Sequence, residues 1–297
     1  MTGDLHPDQL EALRVVVDLG TFEAAARALQ ITPSAISQRM KALESSVGRV
    51  LLQRTKPVAL TESGEIVLRL ARQFALLKGD AERALGGESG PHGFTTVPLA
   101  VNADSLATWV LPALAPLTEG DGLVFDLYRE DQAFSTELLR RGTVMGAITS
   151  EADPVQGCTV QAIGRMRYRP VATPRFIARW FADGATASAL ESAPAVIFDR
   201  RDTLQHDYLR VKGVRPDRQP PLHYVPASVD YAEAVHLGLG WGMLPHPQAD
   251  AGEAAGTIRE LDPGAFIDVP LYWQQWRLES AALSTVASAL AAAAPQR

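Results

Sequence analysis

Residues 21–54 read TFEAAARALQITPSAISQRMKALESSVGRVLLQR and indicate two short amphipathic helices joined by a tight connection. Thr21 is placed to cap the first helix, whose apolar residues recur at helical spacing, and the pattern breaks at residues 30–32. Thr32 and Pro33 predict the start of the second helix, because a proline in the first turn loses only an amide that would have no helical partner there. The stretch therefore predicts a helix-turn-helix that binds DNA.

The second helix separates an apolar face from a polar one. Its predicted buried residues recur in steps of three and four: Ile36, Met40, Leu43 and Val47. The residues predicted to contact DNA from this helix are Thr32, Pro33, Ser34, Ser37, Gln38, Arg39 and Lys41. Short hydrogen-bonding side chains and cations suit base edges and phosphates in a major groove.

The charges support DNA binding locally and not over the whole chain. The chain has 28 Lys and Arg against 34 Asp and Glu, so its overall field would not attract nucleic acid. Residues 27–56, in contrast, carry six cations and the single anion Glu44. This confined excess is typical of a phosphate-binding surface. The alternative, a small helical bundle without a DNA role, explains the periodicity but not the charge.

Two short apolar runs follow the second helix. Residues 50–54 and 58–60 flank a turn at Lys56 and Pro57, which predicts a small hairpin or wing. We expect Arg54, near the tip of this wing, to contact the DNA backbone or to enter a flanking minor groove.

A long helix is predicted next, with Thr61 as its cap and its end near residues 86–87. Its regular apolar stripe consists of Val67, Leu70, Phe74, Leu77, Ala81 and Ala84. This periodicity fits pairing with a second subunit and packing on the same chain equally well. Residues 88–93 have the composition of a flexible linker.

From residue 94 onwards, short apolar runs alternate with segments of helical spacing, which indicates an α/β region. The predicted buried strands are residues 97–101, 123–128, 144–149, 168–172 and 195–198. We expect a DNA-binding domain at 1–60, a linker helix at 61–87 and an effector domain at 94–297. The α/β region at 94–297 is long enough for two small lobes. We expect the first lobe to hold about 94–167 and 271–297, and the second lobe to hold about 168–270.

Ligands of such sheets bind where strands end and helices begin, because the first amides of a helix are free there. Helices are predicted at 106–114 and 229–237, each directly after a polar corner. The candidate ligand residues at these corners are Asn102, Asp104, Ser105, Glu130, Asp131, Thr149, Asp199, Asp202, Ala227 and Ser228. Helix starts suit a carboxylate and acidic side chains suit a cation, which together favour a zwitterion with an extra positive charge. The alternative is that each Ser and Asp caps its own helix.

The N-terminal motifs TFEAAARAL, TPSAISQRMKALE, VGRVLLQR and ALTESGE resemble the winged helix-turn-helix of LysR-type transcriptional regulators. Later motifs, including AVNADSLATWVLPALAP, REDQ, LLRRGTVMGAIT and GLGWGMLP, are similar to the branch of this family called ArgP or LysG, which controls the export of basic amino acids. The resemblance extends over essentially the whole chain. It implies a two-lobed effector domain like that of periplasmic binding proteins.

The resemblance also implies partners. These are a double-stranded DNA operator, a second subunit paired through the linker helix in a homodimer or homotetramer, and RNA polymerase. The implied effector is lysine, arginine or histidine, with no cofactor, and Glu130 and Asp131 match the positions expected to hold its cation. Residues 226–231 read PASVDY where the family commonly has an acid followed by glycine, a departure that bears on effector preference.

Three further features of the sequence argue against a nucleotide-binding protein, a metalloprotein and an enzyme. Residues 238–242 lack the third glycine of a dinucleotide fingerprint, so no nucleotide is expected. The histidines are scattered and Cys158 stands alone, which favours neither a metal site nor a disulfide. No nucleophile and base form a catalytic set, so we expect no enzyme.

The chain opens without a basic apolar leader, and the alanine-rich residues 281–294 are too short to span a bilayer. We expect a cytoplasmic protein without a membrane partner. The rival interpretation is an architectural or origin-binding DNA protein that needs no effector.

Overall fold

The computed structural model describes residues 4–53, 55–86, 94–129 and 132–296. The N-terminal region has the predicted helix-turn-helix and wing. Its elements are α1 (Pro7–Leu19), α2 (Phe22–Ala28), α3 (Pro33–Val47), β1 (Leu52–Gln53) and β2 (Ala59–Leu60). The two wing strands pair antiparallel, with Leu52 opposite Leu60. We call this region the DNA-binding head.

Local caps determine where the helices of the head begin. The Thr21 hydroxyl accepts a hydrogen bond from the Ala24 amide at 3.1 Å, and the Thr32 hydroxyl accepts one from the Ala35 amide at 3.1 Å. Gln30, between α2 and α3, has a φ of +54°. The predicted apolar face of α3 is buried at Ile36, Met40 and Leu43, and Val47 packs partly buried against the same core.

The linker helix α4 (Glu62–Ala84) begins after Thr61, whose hydroxyl accepts from the Gly64 amide at 3.0 Å. Its buried face is not the predicted stripe. The residues buried along it are Gly64, Val67, Leu68, Ala71, Arg72, Leu76 and Gly79. Of the predicted stripe, Val67 is buried, and the five residues Leu70, Phe74, Leu77, Ala81 and Ala84 are exposed in the single chain.

The described residues of the chain form two compact units. The first comprises Met1–Val101, Leu114–Gln161 and Trp273–Ala289, and the second comprises Asn102–Ala113, Ala162–Tyr272 and Leu290–Arg297. The DNA-binding head, the linker helix and part of the α/β region thus cluster together. The α/β region supplies the whole second unit.

The α/β region begins with β3 (Thr95–Val101), α5 (Ala103–Ser105), a π-helical turn (Leu106–Val110), α6 (Leu111–Asp121), β4 (Leu123–Arg129), α7 (Gln132–Arg140) and β5 (Gly146–Thr149). Next come β6 (Cys158–Ala172), α8 (Pro174–Trp180), α9 (Ala187–Ser192), β7 (Ala195–Ile197), α10 (Leu204–Val211), β8 (Leu222–Tyr224) and α11 (Ser228–His236). The last elements are β9 (Gly242–Pro245), α12 (His246–Ala254), β10 (Arg259–Glu260), β11 (Ile267–Trp276) and α13 (Ala281–Ala293).

The sheet of the first unit contains β3, β4 and β5, and β11 lies next to β5 on the side away from β3. β3 pairs in parallel with β4 and with β5, so the carboxyl ends of these three strands share one edge. In the second unit, β6 pairs antiparallel with β9 and β10, and β7 pairs in parallel with β8. The five strands predicted from sequence are present, and residues 238–242 lead into β9 as the tight turn before a strand that the sequence also predicts, whereas β8, β10 and β11 were not predicted.

Two predicted helix starts need correction. The helix expected at 106–114 begins at Ala103, because the Asn102 side chain caps it by accepting from the Ser105 amide at 2.8 Å. The helix expected at 229–237 begins at Ser228. Ser105 and Ser228 therefore lie inside their helices and do not act as caps.

The alanine-rich C-terminal segment forms α13, which buries Leu283, Val286 and Leu290. In the first unit, Asp80 from the linker helix accepts hydrogen bonds from the Ala281 and Ala282 amides at 2.9 and 3.1 Å. Among the described residues, every helix is too short or too polar to cross a bilayer.

Candidate functional site

The exposed side of α3 in the DNA-binding head carries the residues available for DNA. Ser34, Gln38 and Lys41 are exposed, as are Thr32 and Pro33 at the start of the helix. The Thr32 hydroxyl is occupied as a cap. Ser34, Gln38 and Lys41 thus remain the side chains best placed to read base edges.

Two predicted contact residues are engaged within the head. The Ser37 hydroxyl donates to the Pro33 carbonyl at 2.9 Å, and the Arg39 guanidinium forms an ion pair with Asp8 of α1 at 3.0 Å. A phosphate would have to compete with this carboxylate for Arg39. Arg54 lies outside the described residues.

Glu44 looks from sequence like an interruption of the basic surface, but the structure gives it a folding role. Its Oε1 accepts from the Leu51 amide at 2.8 Å and from the Leu52 amide at 3.4 Å. These two amides lie at the entry to the wing. The single acid of residues 27–56 therefore attaches the wing to α3.

A surface groove of about 260 Å³ lies between the start of α2, the start of α3 and the wing. Pro33, Ser37, Lys56 and Val58 are among its lining residues. This groove gives the head a concave surface with an exposed cation at Lys56.

The second unit brings two predicted ligand residues together at Asp104. The Ser228 hydroxyl donates to Asp104 Oδ1 at 2.6 Å, and the Tyr168 hydroxyl donates to Asp104 Oδ2 at 2.7 Å. Gln248 Nε2 donates to the Ser228 hydroxyl at 3.4 Å. Burial, and next the neighbouring Asp104, raise the pKa of Tyr168 well above its ordinary value, so this phenol stays protonated and continues to donate.

Asp202 is a second carboxylate of this unit. Its oxygens accept from the Phe198 amide at 3.3 Å and from the Leu204 amide at 3.0 Å. Burial raises the pKa of Asp202, and the negative charge of Asp104 raises it further, which outweighs the opposing effect of the two amides. Within the described residues, neither Asp104 nor Asp202 forms an ion pair with a lysine or arginine. In the described part of the chain, both carboxylates are thus held by neutral donors, two hydroxyls at Asp104 and two amides at Asp202.

A buried hydrogen-bond network supports these carboxylates. The Tyr231 hydroxyl donates to the Val196 carbonyl at 3.1 Å and accepts from Gln205 Nε2 at 2.6 Å and from the Met243 amide at 2.9 Å. This network ties α11 to β7, α10 and β9. It fixes the start of α11, from which Ser228 reaches Asp104.

The other predicted ligand residues have local roles or lie elsewhere. Asp199 Oδ1 accepts from the Arg201 and Asp202 amides and so shapes its own turn. Ala227 precedes α11 without a side-chain cap. Thr149 belongs to the first unit, where its buried hydroxyl donates to the Glu151 carbonyl at 3.2 Å. Glu130 and Asp131 lie outside the described residues.

Asn102 and Ser105 differ in what they leave available. The Asn102 side chain is used as the cap of α5, whereas the Ser105 hydroxyl is buried and has no hydrogen-bond partner among the residues that the structure describes. An unpaired buried hydroxyl is costly unless something else binds it. Ser105 therefore remains a candidate to contact a ligand.

Sequence reasoning missed Tyr168 and Gln248 as members of the Asp104 cluster. Tyr168 stood in a predicted buried strand, and a buried phenol requires a hydrogen-bond partner, so a signal was available. Gln248 gave no such signal. Across the described residues, no group of three His, Cys, Asp or Glu side chains is placed to hold a metal ion.

Comparisons with known proteins agree with both regions. Residues 7–65 match the family described as bacterial regulatory helix-turn-helix protein, lysR family. The lysine export transcriptional regulatory protein LysG of Corynebacterium efficiens is 44% identical over 294 residues, which cover 98% of each chain. The crystal structure of ArgP from Mycobacterium tuberculosis matches 98% of this chain and 97% of its own, with 42% identity and a TM-score of 0.81. Full-length LysG from Corynebacterium glutamicum with bound effector Arg matches 97% of this chain and 98% of its own, with 39% identity and a TM-score of 0.73.

Proposed function

Because this chain belongs to the LysR family of bacterial regulatory helix-turn-helix proteins, we propose that it senses a basic amino acid and controls a gene for the export of such amino acids. Members of this family are transcription regulators and not enzymes. The finer parts of the proposal are the effector, the residues that bind it, the residues that contact DNA and the assembly.

The observation that carries the effector assignment is the pair of carboxylates Asp104 and Asp202. Each lacks an ion-pair partner among the described residues, and their mutual repulsion is relieved when a cation binds nearby. A lysine or arginine side chain supplies that cation. The related LysG structure with bound effector Arg supports the same ligand class.

We assign the ligand's cation to this acidic region of the second unit, while Glu130 and Asp131 stay predicted cation partners on the family resemblance alone. The ligand's carboxylate suits the unpaired hydroxyl of Ser105 and the amides nearby. Ser228 and Tyr168 then act as the residues that orient Asp104.

On the DNA side, Ser34, Gln38 and Lys41 are assigned to base edges, and Arg54 and Lys56 to the phosphates beside the wing. The head comprises residues 1–60, and the helix that follows pairs two subunits through its exposed stripe. Leu70 and Leu77 each leave 41% of their surface exposed, and Phe74 leaves 37%. A second copy of α4 would bury this stripe, which gives a dimer able to meet two half-sites. Two such dimers would form the tetramer.

We place the protein in the cytoplasm, where its DNA operator and RNA polymerase are found. A basic amino acid would alter activation by binding one arrangement of the effector domains more tightly than another. No cofactor is needed for this mechanism.

Isothermal titration calorimetry of the full-length protein with L-lysine, L-arginine and L-histidine tests the proposal, with L-glutamate as the control of opposite charge. We expect saturable binding of at least one basic amino acid and none of L-glutamate. If none of the three binds, the sensor function is wrong and a DNA-binding protein without an effector takes its place.

The variant Asp104→Asn tests the location of the site. It keeps the volume of the side chain and removes the charge, so we expect it to weaken binding of the basic amino acid at least tenfold. Asp217→Asn is the matched control, because Asp217 lies in the same unit but is exposed and paired with Arg215. Equal affinities for Asp104→Asn and the wild type would remove Asp104 from the site.

A further inference from the structure

Arg72 lies buried in the first unit, where three parts of the chain meet. It comes from the middle of the linker helix α4, and only 4% of its side chain is exposed. Its Nη2 donates to Oδ1 of Asp18, near the end of α1, at 2.6 Å. Its Nη1 donates to the carbonyl of Gly142, just beyond α7, at 3.1 Å. One guanidinium thus binds both the DNA-binding head and the effector domain to the linker helix.

This arrangement is sensitive to small movements, because a buried cation is tolerated only while it is paired and its N–H groups are satisfied. Asp18 supplies the charge and Gly142 supplies the second acceptor. A shift of either partner leaves a buried N–H without an acceptor, which costs about 1–3 kcal/mol. Displacement of the Gly142 carbonyl therefore also disturbs the bond to Asp18, which uses the other terminal nitrogen of the same guanidinium.

The backbone at Gly142 rests directly on α4. Gly142 has a φ of +67°, and a Cβ atom added there would lie 2.8 Å from the Cα of Arg69. Arg69 in turn donates to the Arg140 carbonyl at 3.4 Å and lies 4.6 Å from the ring centroid of Trp276. With no space between these segments, α7 cannot move at its C-terminal end without moving against the linker helix.

A carboxylate of the effector domain lines the same cavity as Arg72 and Asp18. A cavity of about 130 Å³ is lined by Arg72 and Asp18 and also by Asp126 of β4. Asp126 is hydrogen-bonded to Tyr128, whose pKa is raised by burial first and by Asp126 next. An acid of the head and an acid of the effector domain thus line the same cavity as Arg72, and of the two Asp18 is the one that bonds to the guanidinium.

We propose that Arg72 is the positioning residue through which the effector domain sets the placement of the DNA-binding head. When the segment at Gly142 moves, the ion pair between Arg72 and Asp18 is weakened, and the position of α1 changes with it. The proposal rests on the proposed function, because it requires an effector whose binding changes DNA affinity. Arg72 is assigned here neither to the effector site nor to the DNA-contacting surface.

The test measures coupling in the full-length protein. A DNA duplex that the wild type selects from a random-sequence library is titrated with and without saturating L-arginine, and the ratio of the two affinities is the coupling factor. Such factors are typically about 5–150-fold. We expect Arg72→Lys and Arg72→Met to reduce the factor to near one, while the affinities for DNA alone and for L-arginine alone stay within about threefold of wild type.

Arg72→Lys keeps the charge beside Asp18 but has no second arm for the Gly142 carbonyl, so it tests the bridge even if Arg72→Met does not fold. Arg14→Met is the matched control, since Arg14 binds the same Asp18 carboxylate at 3.3 Å from within the head. We expect Arg14→Met to keep the wild-type factor. By thermodynamic linkage, the affinity for L-arginine measured with and without DNA must give the same coupling factor, so this second titration checks the factor measured for each variant.

The proposal is overturned if Arg72→Lys keeps the wild-type coupling factor, or if Arg14→Met loses it equally. If the wild type binds a different basic amino acid, that amino acid replaces L-arginine in this test. If it binds none of L-lysine, L-arginine and L-histidine, the proposed function fails first, and hydrogen exchange without ligand then decides about Arg72. Arg72→Lys must speed exchange both at the end of α1 and at residues 140–143, whereas Arg14→Met must affect α1 alone. Unchanged protection at 140–143 in Arg72→Lys would refute the bridge.

Discussion

Gln30 has a strained backbone in the connection between α2 and α3, and its replacement by glycine should stabilise the DNA-binding head. Among the described residues it is the one non-glycine with a positive φ, at +54°. The left-handed conformation costs a residue with a Cβ atom roughly 1–2 kcal/mol, and glycine adopts it without that cost. Because the Gln30 side chain is exposed, its removal sacrifices no packing.

The expected gain is smaller than the strain that is relieved. Glycine makes the unfolded chain more flexible, which costs about 0.4–1 kcal/mol. The backbone hydrogen bonds of the turn, from Gln30 to the Arg27 carbonyl at 3.2 Å and from Ile31 to the Ala26 carbonyl at 3.0 Å, do not involve the side chain. We therefore expect Gln30→Gly to raise the free energy of unfolding of the head by about 0.5–1 kcal/mol.

The assay must report on the head itself. All five tryptophans lie beyond residue 94, so tryptophan fluorescence does not follow the unfolding of α2 and α3. Hydrogen exchange of the α2 and α3 amides in the full-length protein does, and a gain of this size should slow their exchange about two- to fivefold.

Gly48→Ala provides the opposite change as a control. Gly48 follows α3 with a φ of +71°, and a Cβ atom there would meet no heavy atom within 4 Å, so the variant adds strain without a clash. We expect faster exchange in α3. If Gly48→Ala behaves in this way but Gln30→Gly exchanges as fast as the wild type, the strain assigned to Gln30 does not exist.

Three further predictions concern charge, docking and titration. Asp8→Asn should free Arg39, strengthen DNA binding and steepen the log–log salt slope by about one; gel-shift titrations at several salt concentrations measure the slope, and an unchanged value would place Arg39 away from DNA. Gly142→Ala should lower the melting temperature more than Gly184→Ala, because both residues have a positive φ but an added Cβ meets a neighbour only at Gly142; equal losses in scanning calorimetry would contradict close docking on the linker helix. Burial raises the pKa of the Cys158 thiol from 9.0 to about 11, so the stability that the protonated thiol contributes is complete below pH 9 and is lost as the pH rises to 11. Cys158→Ala should therefore lose less stability than the wild type across this window. If the urea-unfolding midpoint falls by the same amount between pH 8.5 and pH 10.5 in both proteins, the shift is refuted.

The parts of the structure that follow from sequence are those decided by neighbouring residues. Thr21, Thr32 and Thr61 were predicted as caps, and each accepts the expected amide three residues later. A cap needs only its own turn, so its signal is local. For the same reason the wing and the break at residues 30–32 were predictable.

The unpredicted parts depend on contacts between distant residues. Arg72 bonds to groups 54 and 70 positions away, and Asp104 to a hydroxyl 124 positions away. The strand β11 reads IDVPLYWQQW, in which two glutamines interrupt the apolar pattern. Gln274 is nevertheless fully buried, because it hydrogen-bonds to the Val155 amide and to the carbonyls of Glu151 and Asp153. Sequence supplied the side chains of these clusters but not their partners.

Glu44 limits how the net charge of the DNA-binding head can be changed by mutation. The obvious design for tighter, less selective DNA binding would replace the sole acid of residues 27–56 with lysine. That design places an ammonium group against two N–H donors and detaches the wing from α3, so nominal charge rises while the DNA-binding shape is lost. Ala42 and Ser45, on the exposed side of the same helix, are the positions at which a cation can be added without dismantling the fold.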